Sequence, residues 1–150
     1  MTQFMRTALD VVQSILINDT PALLAAMATP RDPFTSVGRV FVGLAPAPPQ
    51  CWVMPQRTTP KMEGTIVASS SEITVKAGIV GAEPESVADA ALDYINAIDA
   101  ALRNALPQQF DVTVLRIHIQ EHDYGPLYER GKTFARFPEA HLIVHMEEAS

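Results

Sequence analysis

A change of period at Gly81 constrains this chain more than any other feature. Before it, Ile73, Val75, Ala77 and Ile79 alternate with Glu72, Thr74, Lys76 and Gly78, which predicts a strand over 72–80 with one buried face. After it, Pro84 opens a stretch in which Val87, Ala91, Tyr94, Ile98, Ala101 and Leu102 recur every three or four residues. That period predicts a helix over 84–105, with Glu83 and Glu85 at the positive end of its dipole and Pro107 as its stop. The many alanines on the apolar stripe let such a helix lie close against a sheet.

The flanking segments supply the rest of the two layers. Phe4, Ala8, Val11, Val12, Ile15 and Leu16 predict an N-terminal helix that stops at Asn18-Asp19-Thr20-Pro21. Thr20 then caps a second, short helix carrying Leu23, Leu24 and Met27. Val37, Val40, Phe41, Val42 and Leu44 read as a strand over 37–44. Residues 45–60 form a proline-rich connector: 45–50 have polyproline character, 51–54 are a short edge strand and 55–64 an irregular loop. A strand at 65–68 and a turn at Ser69-Ser70-Ser71 lead into the 72–80 strand.

The last third reads as a long hairpin with strands at 112–121 and 140–147. Gly131-Lys132 suits a two-residue type II′ turn, glycine first. With that turn as its centre, Ile117 faces Met146 and Ile119 faces Val144 on the core side. On the other side His118 faces His145 and His122 faces His141, so all four histidines share one face. Gly125, Pro126 and Pro138 interrupt the outer half, which predicts an arm or long loop over 123–138 in place of a regular ladder. The fold class expected is α+β: a mostly antiparallel sheet, an N-terminal helix and a long second helix on one face, and a closing hairpin with a long arm.

Composition narrows the function classes. A length of 150 residues with 47% hydrophobic and 19% charged side chains makes one domain with its own core. A net charge of −6 argues against a general nucleic-acid or acidic-membrane binder, both of which need a positive surface. The longest apolar run, residues 22–28, is far below the ~20 residues of a membrane span. Met1–Arg6 lacks the basic-then-apolar plan of a signal peptide, and one cysteine, Cys51, fits a reducing compartment. The expectation is a soluble, acidic, intracellular protein.

No motif commits the chain to catalysis. His118-Ile119-Gln120-Glu121-His122 matches the H-x-x-E-H string of inverted zinc peptidases, which needs both histidines one turn apart on a helix. The string continues a β-branched alternation, and on a strand its histidines stand ~13 Å apart, too far to share one ion. The cross-strand pairs His118/His145 and His122/His141, with Glu121, Asp123 or Glu139, are the alternative metal or pH-responsive arrangement, weighed against a polar outer sheet face. Cys51 lies between prolines beside Trp52, with no cue for a lowered pKa. Gly78 and Gly81 do not make a phosphate-binding loop. No catalytic residue, metal or cofactor is therefore expected.

The arm at 124–137 is the segment a monomer explains least. It holds Tyr124, Leu127, Tyr128, Arg130, Lys132, Phe134, Arg136 and Phe137, a set rich in the tyrosine and arginine that interfaces favour. It reads either as a clasp for a neighbouring subunit or as an ordinary hairpin whose aromatics fold back on its own sheet.

The order of elements resembles the tail terminator and tail-completion proteins of tailed phages, proteins of the head–tail joint. The likeness is carried by Ile73-Thr-Val-Lys-Ala-Gly-Ile-Val80, the helix after it, Val112-Thr-Val-Leu-Arg-Ile-His-Ile119 and His141-Leu-Ile-Val-His-Met146. It covers about half the chain. The resemblance implies a non-enzymatic structural protein of the virion tail or neck, assembled in the host cytoplasm. Such a protein forms a ring, commonly of six copies, that caps the tail tube and meets the head connector. Its partners would be its own copies, the tube protein and the neck proteins, and DNA would pass an acidic lumen without specific recognition. With the arm as a clasp, charge reversal at Arg130 and Arg136 is expected to block ring assembly and spare the fold. A small metal-binding α+β enzyme using the histidine face, and a monomeric adaptor, are the alternatives.

Overall fold

The computed structural model describes residues 3–41, 49–105 and 113–149. Its elements are α1 (Phe4–Ala25), β1 (Val37–Gly38), β2 (Gln50–Glu63), β3 (Ile66–Gly81), α2 (Pro84–Arg103), β4 (Thr113–Asp123), β5 (Leu127–Arg130), β6 (Thr133–Arg136) and β7 (Glu139–Ala149). The fold is α+β: both helices cover one face of a seven-stranded sheet, antiparallel apart from the short β1–β2 pairing.

Strand β3 is the spine. One of its edges pairs with β2 along almost its full length. The other edge pairs first with β7, from Ile66↔Ala149 to Lys76↔Glu139, and then with β6, from Ile79↔Arg136 to Gly81↔Phe134. Strands β6 and β7 are thus one extended partner interrupted at Phe137-Pro138, where proline has no N–H to give the ladder. Outside this partner lie β4, against β7, and β5, against β6.

The helix face of the sheet carries Ile73, Val75, Ala77 and Ile79 of β3, and Ala140, Leu142, Val144 and Met146 of β7. Against these pack Ala8, Val11, Val12, Ile15 and Leu16 of α1 and Val87, Ala91, Tyr94, Ile98, Ala101 and Leu102 of α2, all buried as their periods predict. Helix α2 ends two residues before the predicted boundary. Pro107 lies outside the described residues, as do Val42 and Leu44 of the predicted 37–44 strand. Within the described part of that segment only Val37 and Gly38 pair.

Three expectations are corrected. First, α1 runs unbroken through Pro21. Proline costs one helical hydrogen bond there, while the Thr20 hydroxyl donates to the Leu16 carbonyl inside the helix and caps nothing. Second, residues 55–64 are no loop and Ser69–Ser71 no turn: β2 and β3 form one long hairpin around Gly64-Thr65, with Gly64 at φ +62°. Pro55 sits at a bulge and Pro60 on a stretch of β2 beyond its pairing with β1, two places where a missing N–H breaks no bond. Third, the arm is a regular four-residue ladder, Leu127↔Arg136 to Arg130↔Thr133, turning at Gly131-Lys132. Its turn is as predicted, since Gly131 alone takes the left-handed φ, +62°.

The predicted cross-strand pairs fail for a related reason. Counted outward from the turn, the slip comes in two steps: residues 124–126 oppose only Phe137 and Pro138 at the base of the arm, and a bulge between Ile119 and Glu121 takes up one residue more, so Ile117 faces Val144 and Ile119 faces Leu142. His118 faces Ile143 and His122 faces Ala140.

Candidate self-association surface

The arm is held to the sheet at its base. Asp123 Oδ1 accepts from the Gly125 N–H at 2.9 Å, and Gly125 takes φ +66° to start the turn into β5. Arg136 then clamps that turn: its guanidinium donates to the Tyr124 carbonyl at 3.0 Å and to the Gly125 carbonyl at 3.1 and 2.9 Å. Charge reversal at Arg136 would break this clamp, so it is not the fold-neutral change expected of it. Arg130 and Lys132, at the turn, are exposed.

The arm's aromatic residues divide between the two readings of its sequence. Phe134 packs on the main core. On the sheet face away from the helices Phe137 meets Tyr128 at 6.0 Å and Phe41 at 5.5 Å between ring centroids, and Phe41 stands edge-on to buried Trp52 at 4.9 Å. Lys76 Nζ lies 4.3 Å above the Phe41 ring. These side chains fold back on their own sheet. Leu127, Tyr128 and Tyr124 remain 41%, 53% and 39% exposed, a concentration of apolar surface at the edge of the sheet.

Next to this cluster the open face turns polar. Thr74 Oγ1 and His141 Nδ1 share a hydrogen bond at 3.2 Å, His141 Nε2 lies 3.1 Å from Glu139, and Lys76 pairs with Glu139 at 3.0 Å. Arg57 pairs with Glu72 at 2.6 Å, which holds the Glu72 carboxyl below its ordinary range. Ser70 Oγ meets His145 Nδ1 at 3.3 Å. Arg57, Glu72, Thr74, Lys76, Glu139 and His141 line a shallow cleft of about 660 Å³, and their mutual pairing reads as a solvated sheet face.

The histidines do not make a single site. His118, His141 and His145 share the open face, but the bulge before Glu121 sends His122 to the helix side, where its Nε2 lies 3.0 Å from Asp99 of α2. Among the described residues no group of three His, Cys, Asp or Glu side chains is placed to hold a metal ion. The H-x-x-E-H string lies on β4, as its alternation indicates. Cys51 is fully buried, and burial pushes its thiol far up from its ordinary value, so it is no nucleophile at neutral pH.

One surface escaped the sequence reading. Where the β2–β3 hairpin outruns the helix layer, Phe4, Met5 and Leu9 of α1 and Thr58 and Pro60 of β2 line a groove of about 580 Å³, with Arg6 and Arg39 at its rim. Met62, two residues beyond Pro60 on the same side of β2, is 69% exposed. The signal for it was the Gly64-Thr65 turn, which makes 55–63 a strand and aligns Thr58, Pro60 and Met62.

No protein-family model and no curated protein matches this sequence. Among solved structures, the fold is similar to that of a chain described as "Virion of native gene transfer agent (GTA) particle", with a TM-score of 0.69 over 97% of this chain and 99% of that one. The two sequences are 13% identical, so what they share is the fold, from end to end.

Proposed function

We propose that this protein is a non-enzymatic structural subunit of a phage-like virion, acting at the tail or neck as a ring that ends the tail tube and meets the head connector. The observation that carries the reading is the end-to-end fold likeness to a chain of a virion particle, 97% of one chain against 99% of the other. A partial match would be expected of a common α+β core alone; here the helices, the long hairpin and the arm are all within the aligned span. The element order noted from the sequence points to the same class of protein. Exposed apolar side chains at two separate ends of the sheet supply surface for neighbours. In a ring the net charge of −6 per copy would be multiplied, a suitable wall for DNA that must pass without binding.

Native mass spectrometry over a concentration series tests this. The expected result is a closed oligomer, with six copies as the leading stoichiometry, visible as rings by negative-stain electron microscopy. A monomer at every concentration up to about 1 mM, the range of weak contacts, would overturn the ring.

A further inference from the structure

On β5, side chains alternate between the two faces of the sheet. Tyr128 and Arg130 pair with Ala135 and Thr133 on the open side, and Tyr128 turns in towards Phe137. Leu127 and Glu129 pair with Arg136 and Phe134, so they stand side by side on the helix side, ~7 Å apart. Leu127 is 41% exposed, and the Glu129 carboxylate has no hydrogen bond or ion pair among the described residues. The outer edge of β5 pairs with no described strand. This edge carries one apolar knob next to one unneutralised negative charge.

The groove at the start of α1 has the complementary chemistry. Its floor is Phe4, Met5, Leu9 and Pro60. Arg6 at the rim donates to the neutral Gln3 side chain at 2.7 Å and meets no carboxylate among the described residues. Arg39, also at the rim, is held by Asp10 and Gln13. Groove and knob lie on opposite edges of the sheet, one beside β2 and the other on β5, and towards opposite ends of β3. One copy therefore cannot bring them together, but two copies can.

We propose that Leu127 of one copy seats in the Phe4–Met5–Leu9–Pro60 groove of the next, with Glu129 against Arg6. The partner is a second copy of this chain. The inference rests on the ring reading and names its interface: two unlike patches meeting head to tail, the arrangement that closes into a ring when the rotation between copies allows.

Charge exchange tests the contact without touching the core. Leu127→Asp, Glu129→Arg and Arg6→Glu each change an exposed side chain, and circular dichroism melting confirms that each variant is folded. By sedimentation velocity and native mass spectrometry, Leu127→Asp should weaken association by roughly tenfold or more, as a charge in an apolar contact does. Glu129→Arg and Arg6→Glu should each weaken it alone. Carried together in one chain, or mixed as separate chains, they should restore it. Loss without restoration would place the β5 edge opposite some other surface and overturn this pairing. Assembly unaffected by all three would overturn the pairing and leave the ring reading standing. A wild-type chain that never associates would remove the ring itself.

Discussion

Gly78 sits beneath two aromatic rings. A Cβ there would come within 2.9 Å of two Trp52 ring carbons and 3.4 Å of Phe137. Trp52 is wedged in turn by Phe41, so the indole has no room to retreat. Gly78→Val should therefore destabilise the protein by about 1–3 kcal/mol, read from the urea midpoint at unchanged slope. His145 makes a second prediction at this scale. Burial first, then the nearby Arg116 and His118, lower its pKa from the ordinary 6.5. The folded protein then binds fewer protons than the unfolded chain, so stability is full above about pH 6.5 and declines as the pH falls through the depressed folded value. His145→Gln should flatten that decline, measured as the difference in denaturation midpoint between pH 7.5 and 5.5. An unchanged difference would assign the decline to other groups.

Among the elements, α1 shows how tertiary packing overrides a local stop signal. Pro21 removes the hydrogen bond that residue 21 would give the Ile17 carbonyl, yet Leu16 and Leu24 on either side are fully buried. Their burial, with the internal bond from Thr20, holds the helix together across the proline. Pro21→Ala should thus raise stability, by roughly 1–3 kcal/mol given the ~3 kcal/mol helix preference for alanine over proline, and differential scanning calorimetry would show it as a higher melting temperature. The β2–β3 hairpin is the converse case. Its residues carry weak strand propensity, with two prolines and three consecutive serines, and a local reading breaks them into loop and turn. Pairing on both edges makes β3 a strand regardless, and burying Ser69 and Ser71 under the helices follows from its register with β2 and β7.

For the whole molecule, the sheet has two unlike ends, and this bears on how copies combine. The end built from the β2–β3 hairpin presents a groove and Met62. The end built from β5 and β6 presents Leu127 and Glu129. Self-complementary patches would give a two-fold dimer; unlike patches add copies in one direction until the ring closes. The species distribution in native mass spectrometry should therefore jump from monomer to one closed size, with few intermediates. A dominant dimer would contradict this geometry. On the open histidine face, by contrast, Arg57 and Glu72, Lys76 and Glu139, and His141 and Glu139 already pair with one another.

The sequence by itself determined the two helices' buried stripes, the core face of β3 from Ile73 onward, the Gly131-Lys132 turn and the α+β class. Each depends on a period or a φ that neighbouring residues set locally. It also singled out the arm, by its tyrosines and arginines, as either a clasp or a hairpin folded back on its own sheet. Only the tertiary structure decided which arm residues are free. Arg136 is consumed by the Tyr124 and Gly125 carbonyls and Phe137 by the rings on its own sheet, whereas Leu127 is left outward. The histidine pairs were out of reach for the same reason. An extra residue at the base of the arm and a bulge between Ile119 and Glu121 each shift β4 against β7, and a one-residue shift changes both the partner and the face of every side chain beyond it. The groove that faces the neighbour in our proposal joins α1 to β2, elements about fifty residues apart along the chain, and packing alone brings them together.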